Sequence, residues 1–155
     1  MKENIKFILK ITFAHVVTYI LCGIIFMNIN NYSEWIDTQN NWRDASSIIY
    51  QLSFVFQILR GILYAIIILI IKDIIIGTKF GILKLFVIMI ILGIINTPGT
   101  GPMSIEEFIY MVPSDEPLNV RIGGLIEIIT QNLLFCIIVC TNWKELKNKI
   151  FKKKI

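Results

Sequence analysis

IIYQLSFVFQILRGILYAIIILII, residues 48–71, carries a single charge, at Arg60. As a helix it would be about 36 Å long, enough to cross a hydrocarbon core of about 30 Å. The run lacks the two-residue alternation of a barrel strand. In lipid only helices and closed barrels satisfy the backbone, so a helix is the expected solution despite the wealth of Ile. Working outward, three more apolar segments stand out: Phe7 to Met27, Phe80 to Ile95, and Ile122 to Cys140. The expected fold is an all-α membrane protein, a four-transmembrane-helix bundle forming one domain over residues 1–155. Its spans are placed at about 7–27, 48–71, 80–95 and 122–140. Loops at 28–47 and 96–121 lie outside, and a turn at 72–79 and a basic tail at 141–155 lie inside.

Composition agrees with this assignment. Of the 155 residues, 55% are hydrophobic, and the mean hydropathy is +0.72. A soluble domain of this size exposes too much of its surface to hide that apolar content. The net charge of +4 would raise nucleic acid in a soluble protein. Here the basic residues flank apolar runs, so lipid headgroups are the expected partner and nucleic acid is not. Cys22, Cys136 and Cys140 all fall inside apolar segments and form no C-x-x-C pair, which predicts buried reduced thiols. The first apolar run exceeds the usual core of a signal peptide, and no small-x-small cleavage site follows it, so it is expected to remain as a span.

The distribution of Lys and Arg predicts orientation. Lys2, Lys6 and Lys10 precede the first span, Lys72, Lys79 and Lys84 lie around the middle turn, and six lysines follow Cys140. The opposite side holds only Arg43 and Arg121. Both termini are therefore expected in the cytosol of a multi-pass cell-membrane protein. Trp35, Trp42, Tyr50 and Tyr110 suit the outer interface and Trp143 the inner one.

The polar residues inside the spans carry the functional expectations. Arg60 lies near the middle of its span, where a charge costs at least about 2.5–3.5 kcal/mol, and it is expected to face the bundle interior or a wet cavity. Ser53, Gln57, Arg60, Gly61 and Tyr64 recur on one helical face, and Gly61 would admit a neighbouring helix closely. Glu127, on a face with Gly123, Gly124, Thr130 and Gln131, is the natural partner of Arg60, but it lies about 8–13 Å from the outer boundary against about 18–20 Å for Arg60, so a pair mediated by Gln57, Gln131 or water is expected as much as a direct contact. His15 lies at a similar depth, beside Thr12, Tyr19 and Cys22. The candidate polar layer is thus His15, Gln57, Arg60, Glu127 and Gln131. It reads either as packing glue that fixes helix register or as the lining of a site for an ion, a proton or an anionic headgroup.

In the second outer loop, Thr97-Pro98-Gly99-Thr100-Gly101-Pro102 must turn. Ser104-Ile105-Glu106-Glu107 then reads as a capping box, and Ile105, Phe108, Ile109 and Val112 repeat at helical spacing. A short interfacial helix is expected there, with Ser104, Glu106, Glu107 and Tyr110 as an external cap over the bundle.

Enzyme motifs are missing. The Glu-Glu pair at 106–107 lacks the following Arg of the CAAX-type intramembrane proteases, and no Gly-x-Ser-Gly suggests a rhomboid-like serine. One histidine with no carboxylate at suitable spacing does not make a zinc site. Haem ligation by two histidines would need a dimer. No cofactor is expected.

His15-Val16-Val17-Thr18-Tyr19, Gln57-Ile58-Leu59-Arg60-Gly61 and Ser104-Ile105-Glu106-Glu107-Phe108-Ile109-Tyr110 together resemble small four-span bacterial integral membrane proteins without an assigned activity. The resemblance implies a fold and no reaction. Two functions follow from the residues themselves: a module binding a small or lipid-like ligand, or serving as a transporter or channel subunit, and an accessory interaction protein whose polar core only fixes packing. Both leave room for a homo-oligomer or a membrane partner, and a membrane enzyme ranks last.

Orientation is directly testable. A cysteine placed at Asn40 should react with an impermeant maleimide in intact cells, and one at Asn148 only after the membrane is opened. Labelling of position 148 in intact cells would reverse the orientation.

Overall fold

The computed structural model describes residues 2–30, 48–96, 109 and 118–143. Among these residues the regular structure is all helical, with no strand. The elements are α1 (Lys2–Ile29), α2 (Ile48–Gln51), α3 (Ser53–Ile70), α4 (Lys72–Ile75), α5 (Gly81–Ile90) and α6 (Leu118–Cys140), and α5 runs into a π turn at Ile91–Ile95. Three helical stretches, Lys2–Ile29, Ser53–Ile70 and Arg121–Cys140, are long and apolar enough to cross a membrane. Gly81–Ile95 is apolar but shorter, about 22 Å as a helix.

All four apolar segments of the sequence are helical, with two refinements. The run at 48–71 is interrupted at Leu52, whose N–H bonds to the Ile48 carbonyl before α3 begins. The third segment does not stay α-helical to its end. The Asn96 N–H reaches the Ile91 carbonyl, five residues back, at 2.8 Å, which turns the last stretch of that helix and its side chains out of α-helical register. The expected interfacial helix and its cap residues Ser104, Glu106, Glu107 and Tyr110 lie outside the described residues, as does most of each of the segments 28–47, 96–121 and 141–155; within 104–112 Ile109 alone is described, as helical.

The turn from α4 to α5 uses two left-handed residues, Gly77 (φ 71°) and Phe80 (φ 62°). Glycine adopts this conformation freely, whereas a bulky residue such as Phe80 does so at a cost. The following residue, Gly81, has no room for a side chain, since a Cβ there would run into the Ile75 carbonyl oxygen.

α1 is the central helix. It packs against α3 on one side and α6 on the other, and α5 leans on α6. The lysines of α1, α4 and α5 and the C-terminal end of α6 gather at one end, where Lys10 Nζ donates to the Val139 carbonyl at 3.4 Å. The apolar core lies toward this basic end and draws on every long element: Ile11 and Ala14, Ala65 and Ile68, Ile75, Leu85, and Phe135, Cys136 and Val139. The outward surface is also apolar. Phe13, Leu21 and Ile24 on α1 and Phe54, Val55 and Leu59 on α3 are all exposed, as suits helices surrounded by hydrocarbon.

α1 and α3 approach closely at Gly61. A Cβ at this position would sit 3.1 Å from the Thr12 Cα and from the Thr12 carbonyl oxygen. Ala65, one turn on, is fully buried. This small-xxx-small pair lets two backbones meet, which in lipid is a principal source of helix association. At the other end of α1, the Asn30 side chain fills the space over Gly123 of α6.

Gly61→Leu should therefore destabilise the protein by about 1–3 kcal/mol, the usual cost of overpacking. Gly93→Ala, where a Cβ meets nothing within 4 Å, should be neutral or better. Thermal unfolding of both variants in one detergent checks this. Equal melting temperatures would mean that α1 and α3 do not close at Gly61.

Candidate functional site

His15 is the centre of the polar interior. It is 2% exposed, and its Nε2–H donates to Gln57 Oε1 of α3 over a long 3.4 Å. Around it stand three aromatic rings. Tyr64 meets it edge-on with centroids 5.0 Å apart, Phe135 edge-on at 6.1 Å, and Tyr19 tilted at 6.2 Å. These separations lie in the favourable range for aromatic pairs. Tyr64 and Phe135 also touch each other at 6.1 Å, closing the cage from α3 and α6. One turn toward the C-terminal end of α1, the Thr18 hydroxyl donates back to the carbonyls of Ala14 and His15. Local bonds of this kind satisfy a hydroxyl in an apolar setting. Thr12 lies against Gly61, and its buried Oγ1 has no hydrogen-bond partner among the described residues.

The structure splits the expected polar layer. Gln57 and Gly61 are buried against α1, and Tyr64 is half-buried. Ser53 and Arg60, assigned by periodicity to the same face, are exposed. On the helical wheel Arg60 lies about 60° to one side of Gln57 and Gly61 about 40° to the other, so α1 covers only part of the stripe.

Glu127 lies elsewhere along the bundle. Its Oε1 would be 3.9 Å from a Cβ added at Gly23 of α1. Arg60 sits at the level where Gln57 meets His15 and Gly61 meets Thr12. Gly23 is eight residues past His15 and eleven past Thr12, an axial offset of about 12–16 Å. The structure therefore brings His15 and Gln57 together and holds Arg60 and Glu127 at different depths. Gln131 lies one turn from Glu127 toward the basic end and is half-buried.

The cage ring contributed by α6, Phe135, is absent from the polar layer expected from the sequence. Phe135 extends the stripe of Glu127 and Gln131 by four residues, so the i, i+4 spacing already contained it. Among the described residues no three His, Cys, Asp or Glu side chains gather as a metal site requires. Cys22, Cys136 and Cys140 are free thiols.

These features define a helical protein with the build of an integral membrane protein and a buried His–Gln pair at its core. No protein-family model, curated protein or solved structure matches the chain.

The His15–Gln57 pair should be measurable by a double-mutant cycle. Gln57→Leu and His15→Phe are each expected to lower the melting temperature, and the pair to lower it by less than their sum. The coupling should be about 0.6–1.7 kcal/mol, the range found between membrane helices. Strict additivity would deny the bond any role.

Proposed function

We propose that this chain is a four-span cell-membrane protein with both ends cytosolic, acting as a non-catalytic interaction module. Its buried polar residues hold the helices in register, and Arg60 is offered outward to a partner within the membrane. The observation that carries this reading is the exposure of Arg60 beside the buried Gln57 and Gly61. A guanidinium stays charged and seeks several acceptors, so on an apolar outer face it draws in an anionic or polar group. Arg60 is seven residues from Ser53, about 10 Å, and ten from Ile70, about 15 Å. Side chains on a helix lean toward its N-terminus, so the guanidinium extends toward the nearer, outer end of α3. There it meets either lipid phosphate or a polar group on a neighbouring span.

The alternative, a ligand-binding or transport layer built on Arg60 and Glu127, has less support because the two lie at different depths. The burial of His15 within three aromatic rings favours a packing role for the core itself.

Arg60→Leu discriminates between these readings. In detergent its melting temperature should equal or exceed that of the parent, while Gln57→Leu melts lower. A fall of several degrees on Arg60→Leu would place the guanidinium in the packing and overturn the module reading.

A further inference from the structure

A groove of about 400 Å³ opens at the basic end, between the α4–α5 turn and the end of α6. Ile75, Phe80, Ile82, Phe86 and Leu133 make its apolar wall, and Thr78 and Cys140 contribute the polar atoms. The Thr78 hydroxyl is already committed, donating to the carbonyls of Ile74 and Ile75 at 3.0 and 3.2 Å. The groove thus presents hydrocarbon with almost no directional polar contact. Its size falls at the lower end of small-molecule sites.

Three ammonium groups are tied to the groove through its walls. Lys79 Nζ stands 5.1 Å from the centroid of Phe80. Lys84 Nζ donates at 3.3 Å to the carbonyl of Ile74, the neighbour of Ile75. Lys10 Nζ donates to the carbonyl of Val139, the neighbour of Cys140. Among the described residues at this end the carboxylates are Asp73, which is exposed, and Glu3, which already faces Lys6 at 3.8 Å. The field over the groove is therefore positive. Trp143, whose indole N–H donates to the Ile138 carbonyl at 3.0 Å, supplies the amphipathic ring that favours the headgroup level.

An apolar slot whose wall and neighbouring carbonyls hold three lysines fits one class of molecule, an acyl chain ending in an anion. We propose that this groove binds an anionic phospholipid of the cytosolic leaflet. One acyl chain lies along Phe86 and Leu133, and the phosphate meets Lys10, Lys79 and Lys84. The occupant follows from charge complementarity. An apolar segment of a partner protein would need no lysines, and a soluble phosphate would need no apolar wall. This site rests on the membrane placement and orientation proposed above and is independent of Arg60.

Native mass spectrometry of the purified chain in mild detergent tests it, titrating phosphatidylglycerol against phosphatidylcholine of the same acyl chains. A lysine at a membrane surface is worth on the order of fivefold in binding, so phosphatidylglycerol should be retained roughly ten- to hundredfold better. The triple variant Lys10→Gln/Lys79→Gln/Lys84→Gln should erase that preference while still binding either lipid weakly. Phe86→Ala and Leu133→Trp should weaken both lipids alike, one by removing the wall and the other by filling the groove, so one variant that fails to fold leaves the other to report. Inorganic phosphate alone should not protect against unfolding. Equal retention of the two lipids by the parent, or a preference that survives the triple variant, overturns the proposal. Loss of the preference in Arg60→Leu also overturns it, assigning the lipid to Arg60 and leaving the module reading intact. A dimer that Leu133→Trp dissolves would give the groove to a second copy and overturn it equally.

Discussion

Two helices in hydrocarbon gain little by excluding apolar surface from each other, since the surrounding lipid is as apolar as they are. The α1–α3 seam overcomes this by bringing backbones into contact. Gly61 sits against the main chain of Thr12, and Ala65 continues the same stripe. Because the axes are close there, Gln57 can reach His15 one turn away. Tyr64 then covers the imidazole from α3, and Phe135 covers it from α6. The remaining contacts depend on that seam. α6 packs on the free side of α1, and α5 packs on α6.

The same seam explains the position of Arg60. A glycine-centred contact is narrow, and only residues within a small arc of the α3 surface come under α1. Gln57, Gly61 and Ala65 fall inside that arc and Arg60 outside it. The charge is therefore excluded by the geometry that makes the pair stable. His15 finds its partner in Gln57 and its cover in the aromatic cage, and neither contact involves Arg60.

Much of this was legible in the sequence. Unbroken apolar runs locate the helices because lipid leaves the backbone few alternatives. His15, Gln57 and Gly61 were identified as interior because glycine and amides recur at helical spacing. Arg60 shares the helical face of Gln57 and Gly61 yet is exposed, because periodicity fixes which residues share a face but not how wide a part of it is covered. Arg60 and Glu127 lie at different depths, and their places in the sequence already show it: Arg60 is twelve residues into the run at 48–71 and Glu127 five into the run at 122–140. The groove could not be read at all. It depends on Phe80 in a left-handed conformation where a glycine would be expected, and on lysines meeting carbonyls from distant segments.

The central position of α1 also bears on how the protein is made. α1 precedes α3 and α6 in the chain, so during synthesis His15, Thr12 and Thr18 reach the bilayer before Gln57, Tyr64 and Phe135 exist. For that interval the nascent chain presents an unsatisfied imidazole on a lone helix. The contacts that lock the bundle are therefore completed in chain order, the imidazole gaining its amide partner with α3 and the last ring of its cage with α6.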